Sequence, residues 1–417
     1  MESTSKKLWN KNFSLLVIGQ LISIFGNQVL NFALPLYILD ISGSPALFGV
    51  VLGVSFLPLI ITSPIGGVMA DRLKKRRIMF WLDITVTAII LLYIIVSVIF
   101  TAAIVPIVIV KLLALNAIQG MYMPAVQASV SVIVPSEKLI KANTATGTVD
   151  TISNVAAPAV AGILYTGFGL FPILVVCAIC FAVTAIMDLL IRIPYEKQQS
   201  SESVIQMVKD DMSQAFQFAV KERPILLRFA AIDIVAGIMG GGVIVVGIPV
   251  IITGHLGMGM EHVGIARAIA WAGAFIGLGI VSFLGEKLTI KSVPLSFTVF
   301  GLAMVPIGAV LLFDIPYFAA YVIIVVADII YFSTLYLLTI PVSAYIQKIT
   351  PPDLIGKVMG LFSALPVLAG GIGFLLAGIL FERFHYFAWL IIFSAAFIVC
   401  ITVLLLRRDF KEEKVDV

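Results

Sequence analysis

Five carboxylates and two bases lie inside stretches that are otherwise apolar, and their types and spacing are those that could carry a proton or hold a charged ligand. A charge in such surroundings is costly, so each should face a protein interior or a wet cavity. Asp328 is the deepest of the acids, with Phe332, Thr339 and Ser343 near its face and Tyr331 and Tyr336 flanking it. A carboxyl there suits a proton carrier or a counter-charge to a cationic ligand; the competing reading is a fixed ion pair with Lys111 or Arg267. Asp233 shares a helical face with Gly237, Gly240 and Gly241, as a gate acid or as a cap partner for Arg228. Asp83, Asp150 and Asp188 fall near segment ends, where conformational clamps with loop bases are expected. A further polar stripe, Gln20, Ser23, Asn27, Gln28 and Asn31, spans an arc of about 140° at 100° per residue. It could be helix-packing glue or a cavity wall. Five polar residues exceed what packing needs, which favours the cavity.

Other chemistries have no residues to carry them. There is no GxSxG, HExxH or GxxxxGK[ST] pattern, so neither an enzyme nor direct use of ATP is expected; energy comes from an ion gradient, protons first among them, or the flux is downhill. His255, His262 and His385 fall in loops away from any Cys or acid cluster, so no metal or other cofactor is expected. Cys177 and Cys180 spell a CxxC within an apolar segment and read as small packing residues, as does Cys400. The net charge of +4 is small and the bases are scattered, which argues against a nucleic-acid partner.

The elements that must position these residues follow from composition. The 417 residues are 61% apolar and only 12% charged, with a mean hydropathy of +1.13. A soluble chain cannot be built this way, and the apolar material suffices for roughly a dozen spans of about 20 residues. Stretches such as Ile84 to Phe100 are apolar on all sides, which excludes the alternation of a β-barrel. Apolar runs between charge and turn signals predict twelve helical spans, at 13–39, 45–69, 78–100, 104–134, 143–168, 170–191, 224–252, 263–283, 293–313, 316–346, 357–381 and 385–406, each boundary good to about three residues. Lys and Arg set the orientation: with the N-terminus inside, the outward loops hold only Arg383, while Lys111 and Arg267 lie within spans. Both termini are then cytoplasmic. Lys6, Lys7 and Lys11 precede a long apolar run with no cleavage site, so no removable signal peptide is read.

The predicted domains are a six-helix bundle at 1–191, a linker at 192–223 and a second six-helix bundle with a short tail at 224–417. Within the linker, Val204, Val208, Met212, Ala215 and Ala219 form one stripe, as in a helix lying on a membrane face. The bundles repeat each other. Ala70-Asp71-Arg72-Leu73 matches Gly285-Glu286-Lys287-Leu288 at an offset of 215, Pro124 and Pro135 match Pro341 and Pro352 at 217, and Ala161-Gly162-Ile163-Leu164 recurs as Ala377-Gly378-Ile379-Leu380 at 216. Duplicated six-helix halves related by an axis along the membrane normal build one large transporter class.

The loop after the second span reads Gly66-Gly67-Val68-Met69-Ala70-Asp71-Arg72-Leu73-Lys74-Lys75-Arg76-Arg77. It resembles the G-x-x-x-D-R-x-G-R-[KR] signature of the major facilitator superfamily, with Gly67, Asp71, Arg72, Arg76 and Arg77 aligned, one extra base, and a lysine replacing the second glycine. The resemblance implies a glycine that packs the second span closely and charges that clamp helix ends as a conformational gate. Ala157-Pro158-Ala159-Val160-Ala161-Gly162 is similar to the superfamily's G-P-x-x-G-G antiporter signature, which adds Pro158 and Gly162 to that gate. One departure stands in the fourth span. Where proton-coupled members often carry R-x-x-Q-G, this chain has Asn116-Ala117-Ile118-Gln119-Gly120. Lys111 lies 140° round the helix and is no replacement for the arginine. Gly19-Gln20-Leu21-Ile22-Ser23, Ala33-Leu34-Pro35-Leu36-Tyr37 and Ser42-Gly43-Ser44 resemble the macrolide-efflux and siderophore-exporter branch of the drug:proton antiporters.

The expectation is an all-α membrane protein of twelve spans in two pseudo-symmetric bundles, a secondary transporter exporting amphipathic or hydrophobic small molecules by proton-coupled alternating access. It is expected as a monomer in the cell membrane, its partners being the bilayer and a small-molecule substrate. Gln20, Asn27, Asn31, Lys111, Gln119, Tyr122, Tyr331 and Tyr336 are expected to line its cavity, and Asp328 and Asp233 to couple protons. Asp83 and Asp150 join the gate. A uniporter or exporter of a lipid-like or siderophore solute is the alternative, and a non-transporting sensor or scaffold a remote one.

Overall fold

In the computed structural model, residues 8–99, 103–193, 204–351 and 354–406 are described. Among them are twelve helices long and apolar enough to cross a bilayer: Lys11–Ser42, Pro45–Ala70, Lys75–Ser97, Ile104–Ile133, Lys141–Phe168, Leu170–Leu190, Ile225–His255, Met260–Leu284, Ile290–Leu312, Tyr317–Ile349, Ile355–Arg383 and His385–Leu405. They are called spans one to twelve. Every end falls within three residues of the one predicted. Helices are the required solution, because an open strand in hydrocarbon would leave backbone N–H and C=O groups unpaired. Large apolar side chains on the outer faces, such as Phe283 and Leu405, are exposed, as lipid contact demands.

The chain divides into two compact units, residues 1–41 with 54–205 and residues 42–53 with 206–417. Each is held by small residues that let backbones approach. In the first unit, span two lies on span four: a methyl group at Gly66 would come within 2.5 Å of the Met121 Cα, and Thr62 Oγ1 donates to the Ala117 carbonyl at 2.7 Å. In the second, Gly273 of span eight faces the backbone of Ile329 in span ten, 2.6 Å from a built Cβ, and Ser333 Oγ donates to the Gly273 carbonyl at 2.8 Å. Span eight ends at Gly285, whose φ of +50° is open to glycine at little cost. The start of span two belongs to this unit, with Gly49 and Gly53 against Gly378 and Gly371 of span eleven, and Glu382 accepts from the Ala46 N–H at 3.0 Å and from Ser44 Oγ.

Span seven departs from a regular helix. Ala236–Gly240, Gly242–Gly247 and Ile251–His255 are π-helical, a form with i→i+5 hydrogen bonds that is rare and concentrated at functional sites. Gly237 and Gly242 there press against Gly370 and Gly373 of span eleven, so wide turns and close approach coincide.

The linker helix, Val204–Gln217, buries Ala215, and its continuation buries Phe218 and Ala219, whereas Met212 is 40% exposed. Ala215 and Ala219 of the predicted stripe are thus on the buried side; the side chains of Val204 and Val208 lie outside the described residues. Lys357, near the start of span eleven, pairs with Asp211 at 3.0 Å and donates to Gln214 at 2.6 Å.

Candidate functional site

The second unit carries a buried ion pair. Asp328, on span ten, is 1% exposed, and its Oδ2 lies 3.8 Å from Nη1 of Arg267 on span eight, itself 9% exposed. Neither Asp328 oxygen has a hydrogen-bond partner among the described residues, so charge alone joins the two. The arginine directs its nearest contact elsewhere: Nη2 donates to the Ile244 carbonyl at 2.7 Å, within the π-helical part of span seven. Aromatic rings wall the pair. Tyr331 stacks near Phe300 at 4.4 Å between centroids, Trp271 near Phe332 at 4.9 Å, and the guanidinium lies 5.8 Å from the Phe332 ring. Such an arrangement can release the guanidinium when the carboxyl takes up a proton, and its rings can hold an apolar or cationic ligand.

Of the two ion-pair partners considered for Asp328, Arg267 is the one found. Lys111 sits in the first unit, 3% exposed, with its Nζ 4.1 Å from the Tyr93 ring centroid and no hydrogen-bond acceptor among the described residues. Asp233 is half-buried on span seven. Tyr331 is buried in the aromatic wall, and Tyr336 is only half-buried.

The polar stripe of span one is engaged in tying helices together. Ser23 Oγ donates to Asp83 of span three at 3.4 Å, Gln28 to Asn154 of span five at 2.6 Å, and Asn31 accepts from Asn116 of span four at 3.0 Å. Three of its five members thus do the work of packing glue, while Gln20 and Asn27 are buried. Asn116 also donates to the Leu112 carbonyl at 3.0 Å, so the residue at the arginine position is a fixed amide. Gln119 is half-buried, and Tyr122, expected on a cavity wall, is 2% exposed and packed beside Ser23, Asp83 and Asp188.

The gate residues divide. Gly67 is not the packing glycine: a methyl group there would meet nothing within 4 Å, and the close approach is made by its neighbour Gly66. Arg76 and Arg77 are exposed, and Arg72 is half-buried. The side chain of Asp71 lies outside the described residues. Pro158 and Gly162 are buried within span five. Asp83 and Asp188 meet no loop base among the described residues; they are 1% and 2% exposed, inside the unit. Asp150 is half-buried, and its described contact is a backbone one, its carbonyl accepting from Asn154 at 2.8 Å.

Twelve spans and an intramembrane charge pair restrict the fold class, and one comparison decides it: residues 16–365 match the family model of the Major Facilitator Superfamily. The chain belongs to that superfamily. Macrolide efflux protein A of Streptococcus pyogenes is 23% identical over 403 residues, 95% of either chain. An uncharacterized MFS-type transporter of Bacillus subtilis, YfiS, is 23% identical over 94% of this chain and 90% of its own. Among solved structures, a bacterial homologue of the human lysosomal transporter Spinster superposes with a TM-score of 0.75 at 15% identity, covering 99% of this chain and 100% of that one. This facilitator is therefore a multi-pass membrane transport protein with efflux proteins among its relatives, and not an enzyme.

Sequence reasoning undervalued Arg267, weighed only as an alternative partner, although a base and an acid both placed mid-span are a signal for pairing. Trp271, one turn from Arg267, and Phe300 gave no signal beyond their ring chemistry. The Ile244 carbonyl could not be found from residue types, because only the wide turns of span seven present it.

Proposed function

We propose that this facilitator exports amphipathic or hydrophobic organic molecules across the cell membrane in exchange for protons, by alternating access, as a monomer with both termini cytoplasmic. The observation that carries the reading is the Asp328–Arg267 pair: an acid bound by charge alone, at 3.8 Å, to a base held by the Ile244 carbonyl and enclosed by aromatic rings. A proton on Asp328 cancels the attraction, and its loss restores it, so protonation and the position of span ten relative to span eight are linked. The rings of Trp271, Phe300, Tyr331 and Phe332 suit bulky, partly apolar ligands. The name of the streptococcal relative points to macrolide-like compounds, and the basic bias of alternate loops supports the orientation.

One observation favours a second reading, uniport of a lipid-like or siderophore solute. At the position where proton-coupled relatives carry arginine, this chain has Asn116, held by Asn31 and the Leu112 carbonyl. Everted vesicles assayed with dyes, macrolides, siderophores and lysolipids, with and without a pH gradient, separate the two. Gradient-dependent accumulation of macrolides or dyes supports proton-coupled export; flux indifferent to a protonophore supports uniport.

A further inference from the structure

The first unit holds a second pair of carboxyls, with no base beside it. Asp83, on span three, is 1% exposed and accepts from Ser23 Oγ of span one at 3.4 Å. Span six packs against span three and sets Thr184, whose hydroxyl donates to the Phe181 carbonyl at 2.9 Å, near Asp83. Asp188 lies one turn further along span six on the same face, 2% exposed and within electrostatic reach of Asp83. The Tyr122 side chain of span four lies near Ser23 and within electrostatic reach of both acids. Three buried oxygens have no hydrogen-bond partner among the described residues: Oδ2 of Asp83, Oδ2 of Asp188, and Oε1 of Gln20, which is one turn from Ser23 on the same face of span one.

Every polar group gathered at this point offers oxygen, and among the described residues the surrounding titratable groups supply no counter-charge. On span one the facing residues are Gln20 and Ser23, and on span four Tyr122. Span six contributes Thr184, with Cys177 turned to the Gly26 carbonyl at 3.6 Å and Cys180 a free thiol. Lys111 is engaged at Tyr93, ten residues along span three and so about 15 Å from the level of Asp83. Lys11, Arg76, Arg77 and Arg192 are exposed at the helix ends. Two carboxylates buried together without a base repel each other and lose their hydration, so a cation must sit between them.

We propose that Asp83 and Asp188 form a second cation site in this transporter, one that holds a single proton shared within the carboxyl pair, with Ser23, Thr184 and Tyr122 as its polar wall. The site is separate from Asp328 and does not depend on whether a proton gradient drives export. Holding the proton ties spans one, three, four and six together; losing it sets two like charges against each other inside the bundle.

Infrared difference spectroscopy on the full-length protein in liposomes tests this. The wild type in choline chloride at neutral pH should give a protonated-carboxyl stretch that shifts in heavy water. D83N and D188N should each shift that band, D83N/D188N should abolish it, Y122F should move it, and D328N should leave it in place. A wild type without the band, or a band unchanged in D83N/D188N, overturns the proposal. So does a band that vanishes when sodium replaces choline, which would make the site a sodium site. Should an asparagine variant fail to fold, the Y122F shift, the unchanged band of D328N and the sodium measurement still decide. Gradient-driven export assayed in the same liposomes keeps the two readings apart, since its absence from the wild type would count against proton-coupled export and leave the spectroscopic result standing.

Discussion

Arg267 and Asp328 face each other from spans eight and ten at 3.8 Å, yet the arginine's shortest bond, 2.7 Å, goes to the Ile244 carbonyl of span seven. The base is thus anchored to one helix while it attracts another. Both side chains are buried, and a buried pair is expensive to break from one side only.

The two single variants should therefore be costly and the double one mild. R267Q leaves Asp328 buried without a partner and should destabilise by about 3–5 kcal/mol, whereas R267M/D328L should come close to the wild type in stability. Thermal unfolding in detergent checks this, and equal losses in single and double variants would deny that the residues act as a pair.

A stability difference between adjacent glycines is expected in the motif loop. G66A forces a methyl group against the Met121 backbone and should cost about 1–3 kcal/mol as overpacking. G67A meets nothing and should be neutral in stability. The same unfolding assay separates them, and a reversed order would contradict the packing of span two on span four.

The amide pair between spans one and four should show measurable coupling. A double-mutant cycle on N31L and N116L is expected to give about 0.6 kcal/mol, within the range of intramembrane hydrogen bonds and at most about 1.7. No coupling would mean that the stripe of span one is not packing glue.

Aromatic enclosure predicts a ligand-dependent defect. W271A and Y331A should reduce efflux of large apolar substrates more than R267K does, read as the loss of resistance or dye extrusion in cells expressing equal amounts of protein. An unchanged extrusion profile in both would remove the rings from the ligand path.

The fold was largely legible because bilayer physics is simple. Apolar length and loop charge fixed span ends to within three residues, from Lys11 to Leu405. The site was legible in part. Asp328 stood out because a mid-span carboxyl is rare, but its partner depended on how spans eight and ten pack, and that packing is set by Gly273 and Gly277 against the span-ten backbone. The stripe on span one could not be assigned from its own residues, since glue and cavity wall use the same amides; their partners Asp83, Asn116 and Asn154 lie 60, 85 and 126 residues away. Gly66 and Gly67 are equivalent in composition, and only the helix phase distinguishes them. The π turns of span seven leave no mark beyond a concentration of glycine.

Gradient-driven uptake into proteoliposomes is the most direct test of proton-coupled export. Wild-type protein should accumulate a macrolide or dye in response to a pH gradient and lose that accumulation with a protonophore, while D328N should lose the gradient response and keep substrate counterflow. Gradient-driven accumulation retained by D328N, or wild-type flux indifferent to the protonophore, would contradict it.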